Sequence, residues 1–165
     1  MSAVLTVFLY PTEVGRYEPL RKPYPEINVM YPPELTAPMS TDLVSAGFEE
    51  LKTPDQVDKA LMQPGTVLCV VNSVCGCAAG AARPGAKMSL RGDKSPAKLV
   101  TVFAGVDTDA VNQARKHFLP YPPSSPAMAI FKDGKLVHFL ERHHIEGRSA
   151  DMIAENLMMA YEEFC

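Results

Sequence analysis

The sequence predicts an α/β fold in which helices flank a mixed central sheet. Two apolar runs rich in β-branched residues, at 66–73 and 98–106, are typical of strands that are buried on both faces. A helical segment lies between them, so we expect a parallel βαβ unit with a right-handed crossover. Two further strand-like segments are joined by Asp133-Gly134, a pair typical of a type I′ hairpin turn.

Two N-terminal helices are predicted ahead of the first buried strand. A short helix is expected over 40–46. A second begins after Thr53, with Pro54 in its first turn and Gln56 at the capping-box position, and it ends before Pro64. Together with the strands, these helices give a β-α-β-α-β-β-α core preceded by helices.

Three more helices are predicted after the first strand. Residues 74–91 form an alanine-rich candidate helix that Pro84-Gly85 should kink. The segment 108–119, capped by Asp107 or by its own first residue, has apolar residues at helical spacing. A last helix, started by Ser149 or Asp151 and running to about Phe164, has the same spacing and closes the domain.

Proline is concentrated near the N-terminus. Seven of the 15 prolines fall within 11–38, a density that one regular element does not tolerate. We therefore interpret 1–29 as an N-terminal extension, irregular or a misassigned start with Met30 as the true first residue. Residues 30–165 are predicted to form one domain.

Composition excludes several classes of protein. With 47% hydrophobic and 21% charged residues among 165, the chain is not wholly disordered. It has no apolar run long enough to span a bilayer. A net charge of −3 argues against nucleic acid or an anionic membrane as partner. Since the apolar start lacks a basic region and a cleavage signal, we expect a cytoplasmic protein.

The candidate site is the triplet Cys75-Gly76-Cys77, which follows a buried strand and opens a helix. Free N–H groups and the positive end of the helix dipole should stabilise a thiolate there and lower its pKa. The nearest charges in sequence, Arg83 and Lys87, lie two or three turns along that helix.

The spacing of the two cysteines restricts how their sulfurs meet. Residues i and i+2 of a helix point roughly 200° apart, so the thiols meet only if Cys75 precedes the first turn. Gly76 should permit this, because it adopts backbone angles that other residues avoid. A Cys75–Cys77 disulfide would be strained and labile, which favours a shuttle or isomerase over a strong reductant. A route in which Cys75 alone attacks a mixed disulfide stays open.

Other interpretations of the cysteines remain. The two motif cysteines are packing residues, or they join Cys165, His143 or His144 in a zinc or copper centre. Cys69 lies within a strand and is interpreted as structural. Cys165, the last residue, is either irrelevant or a resolving thiol.

The loop PYPPSSP at 120–126 is predicted to be rigid. Ser125-Pro126 stands directly before a strand, where a cis peptide bond would present backbone groups beside the thiol and hold an extended substrate.

Several strings of this sequence resemble one known family. They are SPAMAIFKDGKLV at 125–137, MYPPEL at 30–35, SAGFEEL at 45–51, VVNSVCGCAAGAARP at 70–84 and the terminal Phe164-Cys165. With the order of elements, the first string is similar to the cis-proline and hairpin segment of the thioredoxin superfamily. The full set resembles the bacilliredoxins over residues 30–165.

The resemblance implies a thioredoxin-like fold and removal of bacillithiol, a low-molecular-weight thiol, from cysteines of client proteins. It implies that Cys75 is the nucleophile, that Cys77 assists or resolves, and that Pro126 is the cis-proline. Gly76 and Ser125 would then contact substrate. Bacillithiol is expected as a co-substrate, with no cofactor and no metal, and a second bacillithiol or a partner reductase would regenerate the protein.

Three rival functions accompany this expectation. The first is a protein disulfide isomerase or oxidant of the same fold, an activity that is also associated weakly with the family. The second is a metal-binding module that uses Cys75 and Cys77. The third is a thioredoxin-like interaction domain without catalysis. The sequence leaves the client proteins and the oligomeric state open.

Overall fold

The structure, a computed structural model, describes residues 30–165, so the predicted extension at 1–29 lies outside the described residues. Its five strands form one sheet of order β1-β3-β2-β4-β5. These strands are β1 (Glu49–Glu50), β2 (Thr66–Asn72), β3 (Lys98–Phe103), β4 (Ala127–Lys132) and β5 (Lys135–Leu140). Strand β3 pairs in parallel with β1 and β2, whereas β4 pairs antiparallel with β2 and β5. The predicted mixed sheet is confirmed.

Helices cover both faces of the sheet. They are α1 (Pro33–Val44), α2 (Pro54–Leu61), α3 (Arg83–Ser89), α4 (Thr108–His117), α5 (Arg142–Ile145) and α6 (Ala150–Phe164), with a π-helical turn at Ala78–Ala82. One core cluster lies against α2 and α4, and the other lies against α1, α3 and α6. Among residues 30–165, no helix combines the length and the apolar character needed to cross a membrane.

Strand β2 lies at the centre of the sheet, and its residues are apolar except for the polar residue at each end. All seven are buried, as the sequence predicts for a central strand. Val67, Cys69 and Val71 face the cluster beside α2 and α4, and Leu68 and Val70 face the other cluster. The carboxyl end of β2 therefore projects from between two packed layers.

Helix α1 is longer than the sequence suggests. It begins at Pro33 instead of at residue 40, and it contains Pro38. Proline fits the first turn of a helix, where its missing N–H would have no partner. Pro38 and Glu34, whose carbonyl loses that donor, are both exposed, so water can replace the bond. Helix α2 has the predicted capping box between Thr53 and Gln56.

The expected interruption of the alanine-rich helix is present but lies elsewhere. The backbone is irregular over Ala78–Ala82, one turn before the predicted kink, where the Arg83 N–H donates to the Ala78 carbonyl. Pro84 then stands in the first turn of α3, a position that tolerates it. Gly85 allows α3 to approach α6 closely, since a Cβ there would lie 2.7 Å from Ile153 Cβ.

The hairpin and the last helix agree with the sequence. Asp133 and Gly134 have φ of 50° and 77°, as a type I′ turn requires. The Ser149 hydroxyl accepts a hydrogen bond from the Met152 N–H at the start of α6. Asp107 occupies the N-cap position of α4, as predicted, but its side chain makes no capping hydrogen bond. Strand β1 and helix α5, both very short, were not predicted.

Gly85→Ala should destabilise the protein. The new methyl group would overlap Ile153 and approach the Ala150 carbonyl oxygen at 3.0 Å, so α3 and α6 must separate. We expect a loss of about 1–3 kcal/mol in the free energy of unfolding, measured by urea denaturation. Gly80→Ala is the matched control, because a Cβ at Gly80 meets no atom within 4 Å. Equal urea midpoints for the two variants would contradict the proposed close packing.

Candidate functional site

Cys75 stands between the end of β2 and the first helical turn, which begins at Gly76. The N–H groups of Ala78 and Ala79 donate to its carbonyl oxygen at 3.1 and 3.2 Å. Cys75 thus precedes the first turn, the arrangement that the spacing argument requires for the thiols to meet. The described structure holds both cysteines as free thiols.

Three groups donate hydrogen bonds to the Cys75 sulfur: the Ala78 N–H, the Ser73 hydroxyl and the Cys77 thiol. The Ala78 N–H lies 3.3 Å from Sγ, and the Ser73 hydroxyl lies at the same distance. The backbone donor comes from the start of the helix, where free N–H groups favour negative charge. The donor that stabilises the expected thiolate at this junction is therefore the Ala78 N–H.

The two motif thiols differ in acidity. Partial burial disfavours the Cys75 thiolate, but hydrogen bonds from Cys77, Ser73 and Ala78, with the charge of Arg142, outweigh it and lower the pKa of Cys75. Burial raises the pKa of Cys77, and the neighbouring Cys75 sulfur raises it further. Cys75 is the stronger nucleophile at neutral pH because it carries more thiolate.

Arg142, at the start of α5, is the charged residue that sequence reasoning missed. The pKa of its guanidinium is raised first by a hydrogen bond to Glu146 and then by the charge of Cys77. Its backbone N–H donates to the Ser124 hydroxyl at 2.7 Å, which ties α5 to the loop before β4. The register of the hairpin could have predicted this position, because Leu140 pairs with Met128 and brings the end of β5 to the start of β4.

Arg83 and Lys87, the charges nearest to the motif in sequence, form ion pairs away from the thiols. Both bind Asp42: Arg83 Nε lies 3.3 Å from Oδ2, and Lys87 forms an ion pair with Oδ1. The buried Arg83 Nη1 also donates to Asn72 Oδ1 and to the Ser73 carbonyl, each at 3.1 Å. Arg83 therefore fixes the backbone that leads into Cys75.

The Ser125–Pro126 peptide bond is cis, as the resemblance implies. Pro126 is buried, and the next residue, Ala127, pairs with Val71 at the end of β2. This register brings the loop to the edge of the sheet from which Cys75 projects. A second cis bond, Leu119–Pro120, was not predicted.

A cavity of about 350 Å³ opens beside Cys75. Its wall includes Ser125 from the loop, Arg142 from α5 and Arg115 from α4. The remaining lining residues are Tyr31, Ser73, Val74, Ala104, Gly105, Thr108, Val111 and Asn112. The cavity is within the range of small-molecule sites, about 300–1,000 Å³.

Gly76 does not have the conformational role that the sequence suggested. Its φ lies outside the left-handed region, and an added Cβ would meet no atom within 4 Å. The residue is exposed, so it leaves the surface between the two thiols open.

The other cysteines differ from the motif pair. Cys69 is fully buried, and burial raises its pKa to about 12, as a structural thiol requires. Cys165 is exposed at the end of α6. Within residues 30–165, the group of side chains close enough to hold a metal is Glu141, His143 and His144, and it contains no cysteine.

Comparison with known proteins identifies relatives along most of the chain. Residues 31–165 match the family described as Disulphide isomerase. A bacilliredoxin of Cytophaga hutchinsonii is 65% identical over 81% of this chain and 99% of its own length. Bacilliredoxins of Geobacillus kaustophilus and Salinibacter ruber are 51% and 49% identical, over 75% and 82% of this chain and 86% and 81% of their own lengths.

Solved structures share the fold. The thioredoxin-like domain of Arabidopsis NCP (nuclear control of PEP activity) gives a TM-score of 0.51 at 19% identity, covering 70% of this chain and 77% of that one. A chain from the study of the thiol-resolving mechanism in yeast mitochondrial 1-Cys peroxiredoxin gives 0.50 at 12% identity, covering 71% and 95%. The thioredoxin-like fold is confirmed.

The two motif thiols should titrate on opposite sides of the ordinary value of 9.0. Iodoacetamide reacts with thiolates, so Cys75 should stay reactive as the pH falls below that value, while Cys77 loses reactivity first. In Ser73→Ala, which removes one donor to the Cys75 sulfur, alkylation of Cys75 on the acidic side should slow by about 3- to 10-fold. Mass spectrometry of the modified peptides over a pH series measures both rates.

Ser45→Ala is the control for this experiment, because the Ser45 hydroxyl is exposed and bonds only locally, to the Asp42 carbonyl. It should leave the titration of Cys75 unchanged. A single shared midpoint for the two thiols, or equal rates in Ser73→Ala and Ser45→Ala, would show that the described hydrogen bonds do not set the acidity.

Proposed function

Because the chain belongs to the bacilliredoxin family of thiol–disulfide oxidoreductases, we propose that it removes bacillithiol from mixed disulfides on client proteins. The observation that carries this proposal is the asymmetry of the motif, in which Cys75 alone has a lowered pKa. A protein that attacks a mixed disulfide needs one activated thiol first and a second thiol only afterwards.

The proposed exchange conserves electrons. The Cys75 thiolate attacks the bacillithiol sulfur, a new S–S bond forms, and the bond to the client breaks. The client cysteine leaves as a thiolate and takes a proton from water. Bacillithiol, now attached to Cys75, is the co-substrate, and the step needs no further cofactor.

Cys77 is suited to the second step. Its raised pKa keeps it protonated while Cys75 attacks, and its thiol donates a hydrogen bond to the Cys75 sulfur. Once bacillithiol occupies Cys75, Cys77 can attack that bond and release bacillithiol as a Cys75–Cys77 disulfide forms. Two bacillithiol molecules in succession, which leave as bacillithiol disulfide, or a partner reductase would then restore the dithiol. A single second bacillithiol can instead attack the Cys75–bacillithiol bond directly and free Cys75, again leaving as bacillithiol disulfide. We place this cycle in the cytoplasm, where such thiols are kept reduced.

Substrate contacts are proposed for Ser125, Pro126 and Gly76. Ser125 lines the cavity beside Cys75, and the cis bond sets the backbone that faces it. Gly76 exposes the surface between the thiols. These positions support a bound mixed disulfide with bacillithiol in the cavity and the client outside it.

Replacing either motif cysteine should produce a different defect. Cys75→Ser should abolish release of a bacillithiolated client, because the nucleophile is lost. Cys77→Ser should still release the client but should accumulate bacillithiol on Cys75, since the resolving thiol is lost. Intact-mass spectrometry of protein and client during a single turnover distinguishes these products.

Cys165→Ser is the control for a thiol lost outside the motif, and it should behave like the unmodified protein. Full client release by Cys75→Ser would disprove the assignment of the nucleophile. If Cys77→Ser accumulated no mixed disulfide, a resolving role for Cys77 would be excluded.

The family description favours a second candidate function, isomerisation of protein disulfides. This reaction also begins with attack by Cys75, but the leaving thiol returns to the same client. If isomerisation is the main activity, the protein should reactivate scrambled ribonuclease about as fast as it removes bacillithiol, and Cys77→Ser should retain reactivation. Rates of the two reactions, compared on one preparation, decide between them.

A further inference from the structure

Of the two cationic side chains that line the cavity beside Cys75, Arg142 helps to lower the pKa of the nucleophile, whereas Arg115 has no part in that activation. Both side chains end in guanidinium groups, and none of the twelve residues that line the cavity is acidic. A cationic wall beside a nucleophile favours a ligand with negative charge.

The two guanidinium groups differ in their partners. Arg142 Nη2 lies 3.3 Å from Glu146 Oε1, and the guanidinium also interacts with the motif thiols, so neighbouring groups already compensate for its charge. The Arg115 side chain has no ion pair or hydrogen bond to any of residues 30–165, and its Nε is buried without a hydrogen-bond partner. Burial alone lowers the pKa of Arg115.

A buried guanidinium nitrogen without a partner is unusual, because burying a cation costs free energy unless an anion or acceptor compensates for it. The planar fork of arginine matches a carboxylate in particular, with two parallel hydrogen bonds. Arg115, on α4, lines the same cavity as Cys75. A carboxylate bound there would belong to whatever is attached to, or approaching, that sulfur.

We propose that Arg115 is a specificity-determining residue that binds a carboxylate of the low-molecular-weight thiol in the mixed disulfide. It distinguishes anionic thiols from neutral or cationic ones, and it holds the scissile S–S bond toward Cys75. This inference rests on the proposed function only in taking bacillithiol as the thiol that is bound. The binding itself requires no more than a carboxylate within reach of the disulfide.

The test uses one client peptide joined by a disulfide to bacillithiol, to glutathione or to cysteamine. Bacillithiol and glutathione carry carboxylates, whereas cysteamine carries none. For each substrate, kcat/KM for peptide release is measured with the full chain and with Arg115→Gln. The ratio of kcat/KM for a carboxylate-bearing substrate to that for the cysteamine substrate should fall by about 10- to 100-fold in Arg115→Gln.

Two further variants exclude a general effect of charge. Arg115→Lys keeps the charge but loses the fork, so it should restore the ratio in part. Arg91→Gln removes an exposed arginine outside the cavity and should leave the ratio unchanged. An equal fall for all three substrates, or no fall for any, would overturn the subsite.

A second measurement does not depend on turnover. Iodoacetate carries a carboxylate and iodoacetamide does not, so the ratio of their alkylation rates at Cys75 reports the cationic wall directly. Arg115→Gln should lower this ratio while the protein keeps the urea midpoint of the unmodified chain, and an unchanged ratio in the folded variant would overturn the subsite whatever its turnover. If the unmodified protein releases peptide from glutathione but not from bacillithiol, the proposed function fails while the test of Arg115 still holds.

Discussion

The buried guanidinium of Arg83 is the interaction on which the site depends. A charge in this position must be compensated, and its partners lie on separate elements: Asn72 at the end of β2, the Ser73 carbonyl, and Asp42 on α1. These contacts join the helix after the motif to the strand before it. The three residues between Asn72 and Gly76 are thereby held in one path, with Ser73 and Cys75 adjacent. Because losing a partner would leave a charge buried, the arrangement resists change more than an exposed ion pair would.

The fixed backbone explains why the two cysteines differ despite their similar environments. Burial disfavours the thiolate of both. Only Cys75 lies where the Ala78 N–H and the Ser73 hydroxyl reach its sulfur. Once Cys75 is ionised, it accepts a hydrogen bond from Cys77 and opposes a second negative charge there. One thiolate in the pair is therefore favoured and two are disfavoured, a division that follows from position along the helix and not from composition.

Most of the sheet follows from local patterns, but much of the site does not. The buried strands, the capping box at Thr53 and the turn at Asp133 are properties of short segments, and sequence alone predicts them. Strand β1 is too short for a pattern, and the π-helical turn at Ala78–Ala82 adds one residue to a helix without a change in composition. Arg142 reaches Cys75 only through the register of β2, β4 and β5, which a bulge near Ile130 shifts. Such long-range placement has no local signature.

The two arginines that line the cavity connect the acidity of Cys75 with the proposed selectivity for an anionic thiol. If one arginine interacted with both the thiolate and a substrate carboxylate, each anion would weaken the interaction of the arginine with the other anion. Binding an anionic thiol would then raise the pKa of the nucleophile. Two arginines on different helices avoid this conflict. Arg142, near the motif and paired with Glu146, interacts with the sulfurs, whereas the Arg115 side chain on α4 has no partner in the part of the chain that the structure describes. An incoming carboxylate can then neutralise Arg115 while Cys75 keeps the charge and hydrogen bonds that activate it. In the proposed exchange, a carboxylate bound by Arg115 would thus allow an anionic substrate to approach an anionic nucleophile.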